Sequence, residues 1–193
     1  MIQLGGLVIH DPDVVFTDLA LALLGGYFGW RLWRIAGRPF TRTGAVLMFA
    51  LASAALFGAI FHAFFPEDTA TPPGFVAWIP VSLSIVIAAA AMLDLAMTLL
   101  LPGAPPKVRR AVVRGYAAVF AAVVLLVDES FGSIVRFYVP ALLLFLIAAA
   151  REVLRRRPGW SAITAGLLIS VGAALLQQAE VAIHPDYFDH NAV

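Results

Sequence analysis

Long apolar runs alternate with short polar breaks along this chain. Six runs stand out, at roughly 14–33, 43–65, 74–101, 111–127, 131–150 and 160–183. A helix crossing the apolar core of a bilayer needs about 20 such residues. In lipid every backbone N–H and C=O must find its partner within the segment, so runs of this kind are helices. The breaks are clusters that stop helices: Gly37-Arg38-Pro39, Thr71-Pro72-Pro73-Gly74, Pro102-Gly103-Ala104-Pro105-Pro106 and Arg157-Pro158-Gly159. A tight Asp128-Glu129-Ser130 turn joins the fourth and fifth runs. The expected fold class is an all-α integral membrane protein, a six-helix transmembrane bundle forming a single domain over residues 1–193, with the start of a seventh helix at the C-terminus.

The polar residues between the runs are sorted by charge. Arg31, Arg34, Arg38 and Arg42 lie in the first connection, Lys107, Arg109, Arg110 and Arg114 in the third, and Arg151, Arg155, Arg156 and Arg157 in the fifth. Of the 13 basic residues only Arg136 lies elsewhere. Asp11, Asp13, Asp18, Glu67, Asp68, Asp128, Glu129, Glu180, Asp186 and Asp189 lie at the opposite ends. The positive-inside rule then makes the three basic connections cytoplasmic and both chain ends extracytoplasmic. The N-terminal segment has no basic region and carries Asp11 and Asp13, so the first run reads as an uncleaved span.

Composition agrees and narrows the chemistry. The chain is 62% hydrophobic and only 13% charged, about half the charge of an ordinary soluble domain. With no cysteine, disulfides, thiolate metal sites and cysteine nucleophiles are excluded. No basic face suited to nucleic acid is present; membrane lipids are the expected surroundings. Gly25-x-x-x-Gly29, Ala54-x-x-x-Gly58 and Gly166-x-x-x-Ser170 are small-residue pairs that let helix backbones approach. Pro80 and Pro140 are expected to kink the third and fifth spans. Trp30, Trp33, Trp78 and Trp160 sit near span ends, as interfacial aromatics do.

Ionisable groups inside spans need a partner or a function. Asp94, on the inner half of the third span, is either a proton-handling group or a structural partner of Arg31, Arg34 or Arg114. Asp18 either stabilises the start of the first helix through its dipole or faces an outer pocket. Arg136 pairs with Asp128 or Glu129, or reaches to the interface. Gln177 or Gln178 is expected to bond between helices. All four histidines, His10, His62, His184 and His190, fall on the acidic side. A lone His62 at the end of its span is an interfacial histidine; joined by His184 and His190 it has the composition of a catalytic zinc site, which would activate water. Asp189 or Glu180 is then placed to orient a ligand. His10 is expected to be free or to cover the pocket.

Three further pieces carry a resemblance: Gly58-x-x-x-His62 at the outer end of the second span, Asp94 in the third, and Phe188-Asp189-His190-Asn191-Ala192-Val193 where a seventh span would begin. The chain resembles the seven-helix membrane hydrolase superfamily of alkaline ceramidases and adiponectin/progestin-type receptors, and more closely bacterial members with an outer Asp-His-Asn-Ala motif. The resemblance implies Zn2+ held by His62 and His190; His184, which the family pattern does not supply, is the substitute ligand. The resemblance also implies a lipid amide or ester substrate and the plasma membrane of a bacterium. The family's second His-x-x-x-His ligand would fall one position past Val193. Position 58 is glycine where the family has serine. Asp94 lies too far inward to meet His62, which leaves Asp18 or Asp189 as the expected general base. The alternative is a non-enzymatic membrane receptor or partner subunit without a metal. A transporter is disfavoured, because the midplane holds little polar besides Asp94 and no inverted repeat is evident.

Overall fold

The computed structural model describes residues 2–4, 7–65, 69 and 71–178. It contains a short antiparallel hairpin, β1 (Ile2–Leu4) and β2 (Leu7–Ile9), paired Ile2 to Ile9 and Leu4 to Leu7. Six helices follow: α1 (Pro12–Arg34), α2 (Pro39–Phe64), α3 (Pro72–Leu100), α4 (Pro106–Leu126), α5 (Phe131–Leu154) and α6 (Trp160–Gln178). Among the described residues, α1, α2, α3 and α5 are long and apolar enough to cross a membrane. The first turns of α4 carry Lys107, Arg109, Arg110 and Arg114, which shorten its uncharged stretch.

Helix starts depart from the sequence expectation. Helices α2 and α4 begin four or five residues earlier, at Pro39 and Pro106. Proline stops a helix that precedes it but suits the first turn of one that follows, where its fixed φ and missing N–H cost nothing. The same device opens α1 and α3. Thr71 and Ser130 cap α3 and α5 by accepting from the amides of Gly74 and Ser133. Pro80 and Pro140 lie within continuous helices.

The helices pack in a row. Helix α1 lies against α2, α2 against α3, α3 against α4 and α5, and α5 against α6. No extensive contact joins α1 to α6 among the described residues. The core centres on α3, where Ala88, Ala89, Ala91 and Ala96 let Phe120 and Val124 of α4 and Ile134, Ala141, Phe145 and Ala148 of α5 approach closely. Phe120 and Phe137 stack at 4.9 Å. The Tyr116 hydroxyl donates to the carbonyl of Phe137, tying α4 to α5.

Gly25-x-x-x-Gly29 is the seam between α1 and α2. A Cβ at Gly25 would stand 3.1 Å from that of Ala52 and 3.3 Å from the Met48 carbonyl. One at Gly29 would stand 2.9 Å from the Phe49 ring. Among the described residues Gly166-x-x-x-Ser170 is not a seam: none of them comes within 4 Å of a Cβ at Gly166, and the Ser170 hydroxyl bonds back to its own helix.

At the basic end the structure corrects the partner expected for Asp94. Its Oδ1 lies 2.9 Å from Nε of Arg109, not beside Arg31, Arg34 or Arg114. Thr43 of α2 donates to its Oδ2 at 3.1 Å. Asp94 therefore binds α2, α3 and α4 together. A further acid at this end, Glu152, is 2% exposed and paired with Arg155 (3.0 Å) and Arg157 (3.1 Å). These pairs hold the chain reversal after α5, where Arg156 takes a left-handed φ of 55°. The signal was available: a single acid stands among four arginines from 151 to 157.

Candidate functional site

Helices α1 and α2 run antiparallel, so the start of α1 meets the end of α2. This places Asp11, Asp18 and His62 at one end of one helix pair. Asp11 precedes α1 as its N-cap residue, yet its side chain makes no capping bond. Its Oδ2 lies instead 3.7 Å from Nδ1 of His62. Asp18 sits nearly two turns into α1, beyond the reach of the first-turn dipole. Its carboxylate faces α2, and Oδ2 stands 2.8 Å from where a Cβ on residue 58 would be. Glycine at 58 is what allows this approach. His62 lies one turn further along α2. The Phe61 ring lies edge-on to the imidazole and itself packs against Trp78, with ring centres 4.9 Å apart.

Two links fix the surroundings. The amide of His10 donates to the carbonyl of Ala63 at 3.2 Å, tying the end of β2 to the last turn of α2. This satisfies a carbonyl left free by the helix terminus. The indole N–H of Trp78 donates to the Glu129 carbonyl at 3.0 Å, so this tryptophan anchors the α4–α5 turn to α3.

On the same helix pair, further from the chain's acidic end, lies an apolar groove of about 270 Å³. It is lined by Leu19, Ala22, Leu23, Ala52, Ser53 and Leu56. Leu19, Leu23 and Leu56 are exposed, so the groove opens outward. Ser84 of α3 lies 2.8 Å from the Ser53 hydroxyl and 2.6 Å from the Pro80 carbonyl, which fixes the groove's one polar residue to α3.

A family model matches residues 14–193 of the chain. The chain belongs to DUF6962, a family of unknown function. The DUF6962 match begins in the first turn of α1, so it takes in all six helices, Asp18, Gly58 and His62. The hairpin, His10 and Asp11 precede it. No curated protein and no solved structure matches the chain.

Of the residues singled out in the sequence, Asp18 and His62 are brought to one end of α1 and α2, while Asp94 is engaged at the other. His184, Asp189 and His190 lie outside the described residues, as does Glu180. The side chains of Gln177 and Gln178 are likewise outside what is described. Among the described residues no three His, Asp or Glu groups converge as a metal centre requires. His62 is the one imidazole they contribute beside Asp18.

Proposed function

We propose that this DUF6962 chain is an integral membrane protein of six spans whose Asp18–His62 end hydrolyses a lipid amide or ester. In this reading the arginine-rich connections face the cytoplasm and Asp18, His62 and both chain ends face outward. The observation that carries the proposal is the fit of the Asp18 carboxylate into the space left by Gly58. The resembled hydrolases have a serine at this position, one turn before the histidine. Here a carboxylate from α1 fills that volume, so the departure at position 58 and the acid at position 18 account for each other.

The chain's own groups support proton chemistry. No hydrogen-bond donor among the described residues occupies the Asp18 carboxylate, which leaves it free to take a proton from water or return one to a leaving group. The Asp11 carboxylate lies 3.7 Å from Nδ1 of His62, so a second carboxylate stands at the same end of the helix pair. The groove along α1 and α2 accepts an apolar chain while the reacting head lies at Asp18. A zinc ion is the cofactor the resemblance calls for, where it would polarise the scissile carbonyl. His62 would supply one of its ligands, and His184 and His190 are the proposed others.

The test is turnover of chromogenic long-chain amides and esters by the purified full chain, with zinc content measured alongside. Asp18→Asn should lower turnover by about 100-fold or more, and His62→Ala should remove both turnover and bound zinc. A wild-type chain that turns over none of these substrates, with zinc added or not, rules the hydrolase out.

A further inference from the structure

The described basic end carries far more positive charge than it neutralises internally. Its two acids are each in use, Asp94 by Arg109 and Glu152 by Arg155 and Arg157. The corner between α1 and α2 is different. From Tyr27 to Leu47 it contains four arginines, Arg31, Arg34, Arg38 and Arg42, and no acid. Among the described residues none of the four forms an ion pair. All four are exposed.

The four are also held in order. Tyr27, Trp30, Arg31 and Arg34 share one face of α1, because positions three and four apart stand above one another. That face is opposite Gly25 and Gly29, which look toward α2. Arg31 Nη1 donates to the Tyr27 hydroxyl at 3.2 Å, and the Arg34 guanidinium lies 5.0 Å over the Trp30 ring. Both contacts position the cations without neutralising them. Arg38 and Arg42 are one turn apart at the start of α2 and are joined to the first pair by the short α1–α2 connection. Trp33 and Trp30 are half-exposed beside them. Aromatic rings of this kind settle at the level of lipid headgroups, and clustered arginines next to a span attract anionic ones.

We infer that the Arg31–Arg34–Arg38–Arg42 corner is a binding site for the phosphate headgroup of an anionic phospholipid. The lipid's chains lie along the outward face of α1, and its phosphate accepts from guanidinium groups that have no carboxylate of their own. Arginine suits this role because its planar fork matches phosphate oxygens bidentately. The inference rests on the membrane-spanning reading and is independent of hydrolysis at Asp18.

The experiment reconstitutes the full chain in nanodiscs of phosphatidylcholine with a minor fraction of phosphatidylglycerol. Retained lipids are counted by native mass spectrometry. Phosphatidylglycerol should be enriched over its bulk ratio, and less so as sodium chloride is raised. The variant Arg31→Gln/Arg34→Gln/Arg38→Gln/Arg42→Gln should lose about tenfold or more in apparent affinity. Lys107→Gln/Arg110→Gln/Arg114→Gln should lose much less. If the quadruple variant does not fold, Arg38→Gln/Arg42→Gln replaces it, with a smaller loss expected. No enrichment in the wild type, or equal losses in the two corners, overturns the site. Inorganic phosphate displacing the lipid at comparable concentration also overturns it, since the corner would then be a free-anion site.

Discussion

The Asp18 carboxylate and the bare Cα of Gly58 occupy each other's space: Oδ2 stands 2.8 Å from the position a Cβ would take. The atom that must give way on Gly58→Ala is the tip of a short side chain, not backbone. The fold should therefore tolerate the change, with melting in detergent little altered, while the carboxylate is turned aside. A misplacement of about 1 Å costs on the order of 100-fold in a reaction that depends on positioning. Gly58→Ala should thus cut any Asp18-dependent turnover and leave the protein folded. Turnover equal to wild type would show that Asp18 acts elsewhere or not at all.

Glycines on the α1–α2 seam predict the opposite pattern. At Gly25 the obstacles are the Met48 carbonyl and the Cβ of Ala52, neither of which can rotate away. Gly25→Val should destabilise by about 1–3 kcal/mol, as overpacking does. Gly26 is next door, but no described residue lies within 4 Å of a Cβ there, nor of one at Gly166. Alanine at either position should be neutral or stabilising by up to about 1 kcal/mol, the helix-propensity difference. Chemical unfolding in a fixed detergent compares the three, and equal effects at 25 and 26 would refute the assigned seam.

This contrast marks how far the sequence could be read. Apolar runs long enough to cross a bilayer announced the helices, because nothing else satisfies their backbone. Their starts were displaced at Pro39 and Pro106 because one residue type both ends and begins helices. The three small-residue pairs looked alike in sequence, yet among the described residues Gly25-x-x-x-Gly29 is a seam and Gly166-x-x-x-Ser170 is not. Only the neighbouring helix decides that. Asp18 was visible as a costly acid, but its closeness to Gly58, 40 residues away in the chain, depends on the antiparallel register of two consecutive helices. The partner of Asp94 is on α4, a helix among those expected, but it is Arg109, five residues before the expected Arg114.

Asp94 should behave as a structural joint. Its carboxylate takes Arg109 on one oxygen and Thr43 on the other. Asp94→Asn keeps the shape but removes the ion pair with Arg109 and weakens the bond from Thr43, and should cost about 1–3 kcal/mol. Thr43→Val should cost less, about 1 kcal/mol, since one neutral donor is lost. Neither should alter turnover measured well below the melting temperature. A large loss of activity in a fully folded Asp94→Asn protein would move Asp94 from the joint to the chemistry.

Acid sensitivity is expected at the α4–α5 turn, outside the spans. Asp128 accepts from the Ser133 hydroxyl and from the Ser130 amide. These bonds, the Ser133 hydroxyl first, hold its carboxyl below the ordinary value of 3.8, and nearby Arg136 adds to the effect. A carboxyl depressed in the folded state stabilises most where it is ionised in both states, above 3.8. That contribution fades as pH falls through the lower folded value. Melting should thus be flat in this respect from neutral pH to about 4 and then decline. Asp128→Asn should lie below wild type at neutral pH and converge with it in acid, with Ser133→Ala falling between them. Parallel curves for Asp128→Asn and wild type down to the most acidic pH would show that this turn contributes nothing to the acid response.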